Sequence, residues 1–206
     1  MDWGKVNNVW QLLGGPVLAP VTLTLLLLLL FTQPDIVFYQ WLLALHFPLF
    51  LFHEFEEYVL PGGFKRFINT ETGLAADPPV DDAPANELYM FVVNVGIFWP
   101  LIILGAVLAN VAPWVGFIVV MLQILMNVFT HSFAFQTRHR GYNPGFITNI
   151  FVIIPYCTLV VGYIIVAHVF TTLDWALGIG IPVAMVLVMA AVTLTRRKRA
   201  TAHAAA

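Results

Sequence analysis

Apolar runs of about twenty residues, each long enough for a helix to cross the hydrocarbon core of a bilayer, recur from one end of the chain to the other. Polar and turn-forming residues divide them. The pattern predicts six membrane-crossing helices, over about Leu12 to Phe31, Ile36 to Leu60, Glu87 to Ala109, Trp114 to Phe135, Phe146 to Phe170 and Trp175 to Thr195. Pro34 ends the first, because proline lacks the N–H that continues a helix. Asn110 to Pro113 and Thr171 to Asp174 read as tight turns. Gly62 to Asn86 is the long connection, and its stretch Asp77 to Pro84 predicts an extended, solvated segment. The fold class that follows is all-α: a polytopic membrane bundle of about six transmembrane helices, one domain over residues 1–206 with a basic tail over 196–206.

Composition strengthens this reading. Of 206 residues, 60% are hydrophobic and 10% charged, and the mean hydropathy is +0.88. The balance of 9 basic and 11 acidic residues supplies no basic face for phosphates, which argues against nucleic acid as a partner. Cys157 is the one cysteine, so no internal disulfide forms. The start of the chain lacks the basic segment and cleavage site of a signal peptide, so the first helix is expected to stay in the protein.

Charge sets the orientation. With six spans, Lys5, Lys65, Arg66, Arg138, Arg140 and the run Arg196 to Arg199 all fall on one side, and the three opposite turns carry no Lys or Arg. The positive-inside rule then places both termini and the two longer loops in the cytoplasm of a cell whose inner membrane holds the bundle.

That topology gathers the polar residues. His53, Glu54, Glu56 and Glu57 stand at the foot of the second helix, where their cost is double. A charged side chain at the bilayer centre costs roughly 2.5–3.5 kcal/mol, and acids at a helix C-terminus face the negative end of its dipole. A cation, a proton or an arginine offsets both. The fourth helix runs the same way and brings Asn127 and His131 to a similar depth, while the third and fifth leave from that side with Asn94 and Asn149. Residues three and four apart are helix neighbours, so His53 can meet Glu56 and Glu57, and Gln123, Asn127 and His131 form one polar line. Lipid offers such a line no partner; it faces the interior.

Two histidines with carboxylates suit zinc, iron or manganese, and His53, Glu56, Glu57 and His131 are the candidate ligands. The same four residues can act without a metal as catalytic acid and base groups. Asn94, Asn127, Tyr142 and Asn143 are candidates for binding substrate, with Arg138 or Arg140 for an anionic head group. The spacing is not H-E-x-x-H, because Glu57 stands where the second histidine would be. Paired Glu-x-x-His motifs and clustered histidine boxes are absent as well. The polar stripe fades beyond His46 and Gln123, which predicts a one-sided pocket and an enzyme acting on a lipidic or amphiphilic molecule. A small proton- or metal-ion carrier is the alternative, for which inverted repeats and broken midplane helices would be expected. A structural reading pairs Glu54, Glu56 and Glu57 with Lys65, Arg66, Arg138 or Arg140, and makes His131 with Asn127 an interhelical hydrogen bond. His46 reads as a packed interior residue, His139 as a loop residue, and His168 and His203 as carrying no function.

The run His53 to Glu57 resembles the H-x-x-E-E motif that names a family of bacterial integral membrane proteins. The Asn127 and His131 pair, Arg138 or Arg140, and the loop Tyr142 to Gly145 are similar in kind, so the resemblance extends from the second helix to the fifth. It implies that these polar positions act together in the bacterial inner membrane, and it names no reaction. Within the loop, Pro144 suits a first helical turn and Asn143 a cap, which gives either a plain helix start or a lid over the polar site.

Overall fold

The computed structural model describes residues 1–33, 35, 37–136 and 141–204. Among them seven helices form: α1 (Trp3–Thr32), α2 (Phe38–Tyr58), α3 (Phe64–Thr70), α4 (Glu87–Leu108), α5 (Pro113–Ala134), α6 (Phe146–Val166) and α7 (Thr172–Ala204). The described residues contain no strand, only an isolated bridge between Val80 and Ala83. The protein is all-α. Helices α1, α4, α5, α6 and α7 are each long and apolar enough to cross a membrane. With 21 residues, α2 has the length, but its histidines and glutamates dilute the apolar character.

Position resolves that conflict. Helix α2 buries twelve of its residues, the carboxylates among them, because the other helices surround it. Leu42 and Leu43 pack with Phe117 and Val120 of α5 and Ile153 and Val160 of α6. One turn and more further on, Phe50 meets Phe98, Ile102 and Leu122. The outer faces stay apolar, with Leu25, Leu28, Val107, Leu187 and Val188 exposed, as expected where lipid is the solvent. Small residues permit the closest crossing. A Cβ on Gly105 of α4 would stand 2.4 Å from the Gly116 Cα of α5, so the two backbones touch.

Several helices carry π-helical turns, at Gly14–Leu18, Val92–Phe98, Gln123–Val128, Thr130–Ala134 and Asn149–Ile153. Pro16 lies inside the first, and Pro100 and Pro155 follow the second and the last, where a missing N–H interrupts the regular ladder. These wide turns carry Asn94, Asn127, His131 and Asn149, consistent with the use of π-turns at functional sites.

Three local expectations change. Helix α1 begins at Trp3 rather than near Leu12, because Asp2 caps it by accepting from Lys5 N. Helix α7 continues through the basic tail, where Arg196 Nε donates to Pro84 O and Arg197 Nε to Ala75 O. The long connection is only partly extended: α3 opens it, and buried Asn69 donates to Asp81 O and Ala85 O and accepts from Ala85 N. One amide thus satisfies backbone groups that prolines leave without regular partners.

Candidate metal centre

The last turns of α2 present His53 and Glu57 on one face, four residues apart. The π-turn at Thr130–Ala134 turns His131 of α5 toward them. Glu57 Oε1 lies 3.1 Å from His131 Nε2 and 3.5 Å from His53 Nε2, and all three side chains are buried. Donors that share one ion at about 2.0–2.2 Å lie about 3–3.5 Å from each other, so the spacing fits a common cation. Ligand atoms of the three residues lie within 4.8 Å of one another.

The outer hydrogen bonds fix which nitrogen of each ring carries the proton. Asn143 Nδ2 donates to His131 O at 2.8 Å, so Asn143 Oδ1, 3.0 Å from His131 Nδ1, can only accept. His131 Nδ1 is therefore the N–H, and a neutral ring has its lone pair on Nε2. Thr148 Oγ1 donates to Glu56 Oε2 and faces His53 Nδ1 at 2.9 Å, which makes that nitrogen a donor too. Tyr58, beside Glu57 in the chain, accepts from Asn94 Nδ2. Both histidines are thus oriented by a polar neighbour, and their lone pairs point at the Glu57 carboxylate. His53 Nε2 has no hydrogen-bond partner although it is fully buried. A cation or a proton between these atoms removes the repulsion. The arrangement matches metal sites in which a ligating histidine donates its other N–H outward.

Gly145 closes the centre from above. At φ +91° it adopts the left-handed conformation that glycine tolerates, and an added Cβ would stand 2.8 Å from His53 Cε1 and 3.0 Å from His131 Cε1 and Glu57 Cγ. Phe64 stacks on the His131 ring at 5.6 Å, and Phe135 meets the same ring edge-on at 5.5 Å.

Glu56, the fourth expected donor, does not join the trio. Its carboxylate accepts from Ile147 N, Thr148 N, Thr148 Oγ1 and Tyr142 OH at the start of α6. The exposed amides and positive dipole end of that helix attract it more strongly than the histidines do. Burial and the Glu56 carboxylate raise the Tyr142 phenol above its ordinary range, so it remains a donor. Glu54 turns to Trp99, whose Nε1 lies 3.1 Å from Oε2.

The remaining candidates separate. Asn94 and Asn127 line a cavity of about 90 Å³ that also touches Glu57 and Tyr58. Asn143 orients His131 instead of capping α6, whose cap position is Gly145. Tyr142 serves Glu56 rather than the cavity. Arg138, His139 and Arg140 lie outside the described residues. Lys65 binds Asp82 at 2.7 Å and Glu87 at 2.9 Å, not the cluster on α2. His46 is buried against Tyr156 and Phe50, with rings 4.8 and 6.3 Å away, and its Nε2 lacks a partner. Nothing in the sequence marks Thr148, Tyr58 or Trp99, since a threonine in the first turn of a helix, or an aromatic within or at the end of one, carries no particular signal.

Fold and site together define a helical protein of membrane type with a buried centre of two histidines and one glutamate. The chain belongs to the family described as proteins of unknown function with an HXXEE motif, which it matches over residues 44–161. In this chain the motif supplies His53, the carboxylate Glu56 that anchors α6, and the donor Glu57. Neither the curated proteins nor the solved structures contain a match to the chain.

Proposed function

We propose that the protein is a metal-dependent enzyme of the inner membrane acting on a lipidic substrate, with His53, Glu57 and His131 holding one divalent zinc, iron or manganese ion. The observation that carries this reading is the convergence of two imidazole lone pairs on one carboxylate oxygen, at 3.1 and 3.5 Å, with the outer nitrogen of each ring held by a partner. A cation held there supplies Lewis acidity and a bound water whose pKa is lowered to about 7. Asn94 and Asn127, in the cavity wall beside Glu57, orient the reacting group. Arg138 or Arg140 is available to an anionic head group.

The site is one-sided, which favours an enzyme over a proton or metal-ion carrier. Past His46 and Gln123 the interior closes on the apolar cluster of Leu42, Leu43, Phe117 and Val120. In this reading α2 is the sixth crossing helix and both termini are cytoplasmic. Four contacts support it: Asn7 near the start of α1 and Lys65 just past α2 both bind Glu87, and Arg196 and Arg197 of α7 bind Pro84 and Ala75 in the connection that follows α3.

Elemental analysis of detergent-purified protein tests the proposal. Near-stoichiometric zinc, iron or manganese in the wild type, lost in both His53→Ala and His131→Ala, is expected. Folded wild-type protein that stays metal-free after exposure to those ions would sink it.

A further inference from the structure

A second, larger hollow adjoins the centre. Its volume is about 260 Å³, and it runs between α5 and α7, with Leu125 and Met126 facing Val186, Met189 and Leu194. His131 and Asn127 lie in its wall, and it shares Phe64, Tyr89, Met126 and Asn127 with the smaller cavity beside Glu57. On α7, Val186, Met189, Ala190, Thr193 and Leu194 recur at steps of three and four, a stripe about 12 Å long. Leu187 and Val188, next to that stripe, are 66% and 63% exposed, so the hollow borders an outer surface that faces lipid.

The polar groups of the hollow restrict what fills it. Thr130 donates to Met126 O, and Thr193 donates to Met189 O while accepting from the Tyr89 hydroxyl. These three groups are satisfied by the protein. Asn127 donates to Gln123 Oε1 and keeps its carbonyl oxygen as an acceptor, and His131, whose Nε2 is turned to Glu57 in the centre, lies beside it in the wall. An occupant therefore meets apolar wall along most of the length and an open polar contact at one place, beside the histidine. A water-soluble molecule would leave its own polar groups buried without partners, at roughly 1–3 kcal/mol each.

We propose that the substrate is a single-chain amphiphile admitted sideways from the bilayer between α5 and α7, with its chain along Leu125, Met189 and Val186 and its polar end at Asn127 and His131. This rests on the metal-centre reading and extends it by naming the substrate class and the route.

The test uses full-length, metal-loaded protein in lipid nanodiscs and a palmitate analogue with a diazirine in mid-chain. Light-induced labelling is mapped by mass spectrometry with and without excess palmitate. Labelling of the 125–135 and 186–194 stretches that palmitate competes away is expected in the wild type and in Leu187→Trp, whose new ring points to lipid. It is expected to be lost in Met189→Trp and Ala190→Phe, each checked for an unchanged elution profile and unfolding temperature. Labelling that is not competed, or that survives in whichever of these variants folds, overturns the inference. Metal content measured on the same samples separates the two ideas: bound metal without competed labelling removes only the groove, whereas competed labelling without metal removes only the metal centre.

Discussion

Thr148 and Gly145 hold positions at which a change of one carbon or one oxygen has a definite consequence. The Thr148 hydroxyl connects Glu56 to His53 Nδ1 and so fixes the tautomer that offers Nε2 to the centre. Thr148→Val keeps the shape and removes the bond. Because outer partners of metal ligands typically contribute about 10–100-fold to affinity, metal binding should weaken by that order, and Thr148→Ser should restore it. Chelator competition in detergent measures both, and an unaffected valine variant would refute the assigned role. Gly145→Ala adds strain of about 1–3 kcal/mol at a positive φ and drives a methyl group to 2.8 Å from His53 Cε1. Lower metal content together with a lower unfolding temperature is expected.

At the level of elements, the centre depends on α6 being fastened to α2. Glu56 does the fastening, with four donors from the start of α6 and the loop before it. Glu56→Ala leaves the part-buried amides of Ile147 and Thr148 without their acceptor and should cost about 1 kcal/mol or more in stability, read as a lower midpoint of thermal unfolding. Glu56→Gln should lie between, since the amide oxygen still accepts. The crossing of α4 and α5 makes a second test. A Cβ on Gly105 would stand 2.4 Å from Gly116 Cα, whereas one on Gly162 would have nothing within 4 Å. Gly105→Val should therefore unfold at markedly lower temperature than Gly162→Val; equal effects would show that the close crossing contributes little.

For the whole molecule, the arrangement of charge gives the prediction. If α2 crosses the membrane, Lys5, Lys65, Arg66 and the run Arg196 to Arg199 share one side. A fluorescent protein fused after Ala206 should then be bright in the cytoplasm, and a phosphatase reporter at the same place should be inactive. A phosphatase active at that position would overturn the orientation. The same end of the bundle carries the centre, so substituted cysteines near Lys65 should react with membrane-impermeant reagents only from the cytoplasmic side.

Much of this was legible in the chain. Long apolar runs with polar breaks specify where the helices lie, because in lipid the backbone must satisfy its own hydrogen bonds, although α1 and α7 extend well beyond the apolar runs, to 30 and 33 residues. The steps of four from His53 to Glu57 and from Gln123 to His131 place the right side chains on the inner faces, because helix periodicity alone decides which residues are neighbours. Tertiary structure decided the rest. Whether Glu56 is a ligand depended on where the start of α6 came to lie, since its free amides attract the carboxylate away from the histidines. Asn143 could cap a helix or orient His131, and the choice followed from the position of a residue twelve places away. Thr148 gained its role only because α6 begins beside α2. Helical spacing is local and readable from residue identity; the partners of a buried polar atom are set by which helix end, from a distant part of the chain, packs against it.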